Sequence, residues 1–423
     1  MLKRIIIFLS IFLLPRIAFA GFATNVNTGT TQATSTTLVE HVELSSTHGI
    51  TSSDWLILYS VGATVDSDGG GLVNVSFMKD DSLITAQAFG VEPENTGTGF
   101  SIPHQWWYMN ESGDSGDTFQ IKVASSGAID TRCNDGGIVG IDLGNLTKGT
   151  DWLIASAENG VADMQLADTW SDFTGVSITI PANNSGERWL ILARSASDTA
   201  AIGDAMHLRF SIDSEASTVL GENEAKAEDA TEFMPGVIMW VYTVPDNDTH
   251  TIDLQQVGPE ASGTKLENAN LIAVNLDALS TVVDFEQSET DETDTSGSFV
   301  DYSVASKSVN FTSTGDYLAI SYMAIGNSSN NDSGSKGKLL INNTDSYMER
   351  YYDGATSSET DRKTHLMFDV FTVGSTGNQD VDSQYSEGSS DTGRVTEGSV
   401  VVFLEEAGEA PTASPFKAFI NIF

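Results

Sequence analysis

The chain repeats itself three times. Trp55-Leu56-Ile57-Leu58-Tyr59-Ser60 returns as Trp189-Leu190-Ile191-Leu192-Ala193-Arg194, and again as Tyr317-Leu318-Ala319-Ile320-Ser321-Tyr322, at steps of 134 and 128 residues. A second apolar run keeps the same step. Ile138-Val139-Gly140-Ile141-Asp142-Leu143 recurs as Leu271-Ile272-Ala273-Val274-Asn275-Leu276 and as Val400-Val401-Val402-Phe403-Leu404, with the final Leu displaced by 133 and then 128 residues. Two markers that drift together mark duplicated units, because chance apolar runs would not hold a common register. The repeat predicts modules over residues 21–147, 148–280 and 281–409, with a joint and tail over 410–423.

The runs are short, rich in β-branched and aromatic residues, and bounded by Gly, Asn, Asp and Ser clusters, which is the pattern of strands. Helical periodicity is confined to a short acidic stretch, Asn223 to Glu232. In each module the signature strand is followed by a short strand, at Leu72–Phe77, His207–Ile212 or Lys338–Ile341. A strand centred on Trp107, Met239 or Met367 comes next, then a polar turn and an alternating return strand such as Thr118–Val123 or Thr251–Gln255. About eight strands per module with long crossing loops predict an all-β chain of three tandem β-sandwiches with jelly-roll or Greek-key wiring. An immunoglobulin sandwich fits less well, since the modules are too long and the Cys…Trp…Cys pattern is absent. The joins at Asp142–Lys148 and Asp277–Val283 are short, so the modules are expected to stack as a rigid rod.

Gly315-Asp316-Tyr317-Leu318, Glu187-Arg188-Trp189-Leu190, Thr249-His250-Thr251-Ile252-Asp253-Leu254-Gln255 and the closing Asn268-Ala269-Asn270-Leu271-Ile272-Ala273-Val274 recur in the same order within the modules. In that order the chain resembles the jelly-roll modules of phage fibres and secreted bacterial surface proteins, related in shape to tumour necrosis factor and C1q heads. The resemblance implies a jelly-roll fold and brings no catalytic residues with it. C1q-like heads assemble as trimers, a property with no signal in this sequence.

Residues 1–20 carry the marks of a cleaved secretion signal: Lys3 and Arg4, an apolar stretch from Ile5 to Leu14, and Ala18-Phe19-Ala20 before Gly21. The stretch is too short for a spanning helix, which needs about 20 residues. The mature chain is therefore expected outside the cytoplasm, without a transmembrane span. Its 59 acidic residues against 20 basic ones give a net charge of −39, and the leader removes three of the basic ones. Such a field repels nucleic acid and attracts cations. The single cysteine, Cys133, rules out an intrachain disulfide and reads as a loop residue, so stability must come from apolar cores.

Candidate sites are few. Asp66, Asp68, Asp114 and Asp117 place carboxylates on Gly-rich loops suited to calcium, without EF-hand spacing, and calcium is the one cofactor expected. Trp106 and Tyr108 share a strand face and could form a platform for a glycan, with core packing as the competing role. Gly113-Asp114-Ser115-Gly116 imitates the surroundings of a protease serine but lies in a polar turn slot common to all three modules. His207, His250 and His365 are expected to face solvent or a loop. The tail residues Phe416, Phe419, Ile420, Ile422 and Phe423 have no further domain to bury them, which suits a donor strand for self-association or for docking on a neighbouring surface protein. Repetition without a singular site predicts a non-enzymatic exported structural or adhesive protein. The alternative is a secreted carbohydrate-binding protein, with calcium as its cofactor.

Overall fold

A computed structural model describes residues 21–65, 73–84, 89–91, 102–125, 131–157, 162–163, 170–198, 205–213, 220–226, 233–257, 265–280, 283–327, 335–352, 362–386 and 393–404. The expected signal segment and the apolar tail lie outside them. The described residues are almost entirely strands. The first set is β1 (Phe22–Ala33), β2 (Val39–Leu44), β3 (Trp55–Val65), β4 (Val73–Lys79), β5 (Ser82–Leu83), β6 (Phe89–Val91), β7 (Ile102–Asn110), β8 (Phe119–Ser125) and β9 (Thr131–Asp142). The second is β10 (Trp152–Ala157), β11 (Ala162–Asp163), β12 (Ser171–Ile180), β13 (Arg188–Asp198), β14 (Ala205–Ile212), β15 (Leu220–Lys226), β16 (Phe233–Thr243), β17 (His250–Val257) and β18 (Lys265–Asn275). After a four-residue helix α1 (Leu276–Leu279) come β19 (Val283–Ser288), β20 (Glu292–Asp294), β21 (Val300–Phe311), β22 (Gly315–Asn327), β23 (Ser335–Ile341), β24 (Thr344–Tyr352), β25 (Arg362–Val373), β26 (Gly377–Ser386) and β27 (Gly393–Leu404).

These strands form antiparallel sheets that fall into three pairs. The front sheets run β1-β9-β3-β7, β10-β18-β13-β16 and β19-β27-β22-β25, and the back sheets run β2-β8-β4-β5, β12-β17-β14-β15 and β21-β26-β23-β24. With the eight main strands of each pair counted along the chain, every front sheet is ordered 1-8-3-6 and every back sheet 2-7-4-5. That is the wiring of an eight-stranded jelly roll. The expected short helix is corrected at its start: Asn223 to Lys226 belong to β15, which pairs with β14 from Ala205↔Lys226 to Phe210↔Leu220.

Sequence chemistry explains the two kinds of sheet. Back-sheet strands alternate, as in Ile252 and Leu254 of β17, which face the core while their neighbours are partly open. One covered face and one wet face demand that period of two. The signature strands do not alternate, because both of their faces are covered. Trp55, Ile57, Tyr59, Val61 and Ala63 of β3 fill the interior of the first pair, together with Val73, Val75 and Phe77 of β4 and Phe119, Ile121 and Val123 of β8. Leu56 and Leu58 point the other way, into a core shared with the second and third pairs. The aromatic that opens each signature strand is buried in every case, at Trp55, Trp189 and Tyr317. Trp55 Nε1 donates to Thr51 O (3.0 Å) and Tyr317 Oη to Ser313 O (2.9 Å), so both tie down the turn four residues before them. Gly140, opposite Ile57 in β9, leaves room for the first of these rings: a Cβ there would lie 2.9 Å from Trp55.

The shared core corrects the expectation of a rod. Strands β7, β16 and β25, the free edges of the three front sheets, each contact the other two. Their outward N–H and C=O groups are met by side chains in a cycle. Arg194 of β13 donates to Trp107 O on β7. Gln287 of β19 accepts from Val241 N (3.0 Å) and donates to Val241 O (2.8 Å) on β16. Gln105 of β7 donates to Thr364 O (2.8 Å) and Oγ1 (2.6 Å), and accepts from Leu366 N (2.5 Å), on β25. The second pair thus caps the first, the third caps the second and the first caps the third. The join before β19 is pinned too, since Arg188 pairs with Asp277 and donates to Val283 O (2.5 Å).

Replacing Gln105 with Leu would leave Thr364 O and Leu366 N buried without that partner, at about 1–3 kcal/mol for each unsatisfied group. We expect Gln105→Leu to lower unfolding stability by about 2–4 kcal/mol, and Gln287→Leu, at a half-buried contact, by about 1–2 kcal/mol. Urea denaturation followed by tryptophan fluorescence measures both, and wild-type midpoints would refute the capping role.

Candidate functional site

A cleft of about 820 Å³ opens where the first pair meets the second. One wall comes from the β4–β5 hairpin and β7, the other from Lys148, β10 and β13. The hairpin turns through Asp80 and Asp81, both in the left-handed region with φ of 50° and 60°. Asp and Asn tolerate that backbone better than other side chains, and two-residue hairpins require it. The third pair uses Asn342 and Asn343 at the same place. The turn brings Lys79 to the mouth, where its ammonium meets Asp117 (2.9 Å) and Asn110 Oδ1 (2.8 Å). Lys148 reaches Glu111 (2.5 Å) and lies over the Trp152 ring at 5.2 Å. Arg194 lies 4.7 Å from the centroids of both Trp106 and Trp107. Tyr108 lines the wall, half-buried, its ring held against Phe77 and Phe119 at 6.5 and 6.3 Å.

The structure separates the residues that the sequence grouped. Trp106 is fully buried and its ring is covered by Arg194, so the expected pairing of Trp106 with Tyr108 as a sugar platform is corrected. Only Tyr108 reaches the cleft. Asp117 accepts from Lys79, from Asn110 Nδ2 (2.9 Å) and from Asp114 N (2.9 Å). Burial opposes its charge, but those partners hold the carboxyl below its usual range. Asp114 closes its own turn through Gly116 N. The two are engaged in a turn and an ion pair, and among the described residues no group of three or more His, Cys, Asp or Glu could hold a metal. Asp66 and Asp68 lie outside the described residues, as do Phe416, Phe419, Ile420, Ile422 and Phe423. Cys133 is corrected from loop to buried strand residue in β9. Among the described residues no helix is long and apolar enough to cross a membrane.

Two histidine expectations also change. His365 is fully buried in β25, whereas His207 is partly exposed as anticipated. His250 is buried at the start of β17, with Nδ1 2.8 Å from Asp213 and Nε2 3.1 Å from Asp246. Burial works against the charged ring, but the two aspartates outweigh it and raise its pKa. Burial likewise pushes Asp369, on the third edge strand, up to about 6.

Arg194, Gln105 and Gln287 were not singled out by sequence. Arg194 did leave a trace. It stands in a signature strand where the other copies carry Ser60 and Tyr322, and a cation in an apolar run demands a buried partner.

No family model matches the sequence, and no curated protein matches it. Solved structures similar to it include PNGase F, a glycosylasparaginase from Flavobacterium meningosepticum, with 9% identity, a TM-score of 0.33, and 60% of this chain and 96% of that one covered. They also include the CBM22-1-CBM22-2 tandem of Paenibacillus barcinonensis Xyn10C (9% identity, TM-score 0.20, 60% and 94% covered). A third is the triple jelly roll of an archaeal virus turret (9% identity, TM-score 0.19, 91% of each chain covered). At these TM-scores none of the likenesses defines the activity of this chain. The expectation of a non-enzymatic protein is nevertheless corrected, because an enzyme stands among the similar structures. The physical reason is that repeated strands constrain the cores, whereas catalytic groups sit on loops and in clefts between sheets.

A raised pKa stabilises the fold fully below the unfolded value of about 6.5 and is lost as pH rises through the folded value. We therefore expect the His250 ring to titrate above 6.5 by NMR, and Asp213→Asn to bring it back towards 6.5. The wild-type advantage in melting temperature over Asp213→Asn should shrink from pH 6 to pH 9; an advantage that grew with pH would contradict the pairing.

Proposed function

We propose that the chain is an exported structural or adhesive protein of a cell surface, an extracellular filament or a virion appendage. In this reading residues 1–20 direct export, and residues 21–147, 148–280 and 281–409 are three jelly-roll modules folded as a trimer within one chain. The observation that supports it is the cycle of Arg194, Gln287 and Gln105, which joins three similar sheet pairs into one body rather than leaving them on flexible linkers. A body of that kind suits bearing load and presenting loops. The tail from Pro415 onward then supplies contact with the next subunit or with a surface.

Light scattering and negative-stain microscopy on residues 21–423, and on the same chain ending at 410, test this reading. The shorter chain is expected to be a compact monomer and the longer one an oligomer or filament. Two indistinguishable monomers would remove the assembly role, and separated beads would remove the single-chain trimer.

A second reading, carbohydrate binding, is favoured by one feature: the cleft between the first and second pairs, where Tyr108 stands among polar and charged groups. Sites for small ligands combine such an aromatic wall with a few convergent polar side chains.

A further inference from the structure

We infer that this cleft binds a saccharide that carries a carboxylate, of the uronic acid class. The inference rests on the carbohydrate-binding reading and narrows it to an acidic sugar. The first observation is a local concentration of cations. In a chain with 20 basic and 59 acidic residues, Lys79, Lys148 and Arg194 line one cleft against only Asp80 and Glu111. With Asp117, which pairs with Lys79, counted as well, the lining is about neutral on a molecule of net charge −39.

The three cations differ in what they can do. Lys79 is neutralised by Asp117 and held by Asn110, whereas Arg194, stacked on Trp106 and Trp107 with little exposure, is a fixed source of positive potential. Lys148 is the adaptable one. Its side chain is 52% exposed and its partner Glu111 44% exposed. A pair that open is worth under about 1 kcal/mol, so a ligand carboxylate can replace Glu111 at little cost. Tyr108, braced by Phe77 and Phe119, offers a fixed aromatic surface in the same wall, and Leu83, 42% exposed on the hairpin, adds an apolar rim. Sugar rings use both kinds of contact: apolar C–H faces against an aromatic wall and hydroxyls towards charged side chains.

Charge also sets an upper limit. The field of the whole chain repels long polyanions, which disfavours nucleic acid. A short uronic acid oligomer places one carboxylate beside Lys148 while the C–H face of a neighbouring ring meets Tyr108. The cleft volume of about 820 Å³ lies within the usual range for small-ligand sites.

Isothermal titration of residues 21–423 with trigalacturonate and with neutral galactotriose tests the inference at two salt concentrations, about 50 and about 500 mM. Trigalacturonate is expected to bind at least about tenfold tighter than the neutral trimer at low salt, with most of that preference lost at high salt. Lys148→Ala, at a half-exposed position, should reduce trigalacturonate affinity about fivefold or more and galactotriose affinity by much less. Tyr108→Ala should weaken both. Equal affinity for the two trimers would overturn the acidic class while leaving carbohydrate binding intact. No binding of either would overturn both. Binding unaffected by Lys148→Ala and by Tyr108→Ala would place the site elsewhere and overturn the assignment of this cleft.

Discussion

A strand at the edge of a sheet exposes backbone groups that must find partners or invite the wrong ones. The three front sheets each end in such a strand, and these edges lie together at the middle of the molecule rather than at its rim. Water is excluded there, so the capping has to come from side chains. Gln105 and Gln287 act as a short piece of neighbouring strand, each offering one acceptor and one donor to a backbone pair. Arg194 only donates, to Trp107 O, and adds two indole rings to the contact. Without these three, the central packing would carry unsatisfied polar groups whose cost rivals the gain from burying Leu56, Leu58 and their counterparts.

Burial on both faces then follows for the strands behind each edge. A front-sheet strand in an ordinary sandwich would keep one wet face and alternate. Here β3, β13 and β22 have the interior of their own pair on one side and the shared core on the other, so Trp55 to Tyr59, Trp189 to Ala193 and Tyr317 to Ile320 run apolar without a break. Continuous runs of that kind are the mark of a strand covered on both sides. The acidic residues find room on the back sheets, as with Asp301 and Asp380 in the third pair, where crowding and burial push Asp382 up to about 6.

Much of the strand order was readable from sequence, because local patterning decides it. The strands around Trp107, Met239 and Met367, and the returns at Phe119 and His250, fall where the alternation places them. What escaped depends on contacts across hundreds of residues. The meaning of Gln105 lies 259 residues away at Thr364, and no local pattern carries that. The platform at Trp106 failed for the same reason, since the exposed face expected of it is taken by Arg194 from the next pair. The acidic stretch from Asn223 to Glu232 misled in a different way: its charges suit a helix, yet Asn223 to Lys226 pair with β14 as a strand. The candidate cleft was half visible, in Tyr108, while Lys79 and Lys148 meet it only through the junction of two pairs.

The cycle also dictates an order of events. As the chain emerges from its N-terminus, the first sheet pair can wire itself early, but the groups that Gln105 serves are not made until Thr364 and Leu366. Until then β7 and β16 present an open seam to whatever else is nearby. The ring closes last, by its longest loop in sequence, and such non-local closures are the slow steps of folding. A nascent copy therefore passes through an unsealed stage that lasts for most of its synthesis, and it is at that stage, not in the finished protein, that strands from two copies could be exchanged.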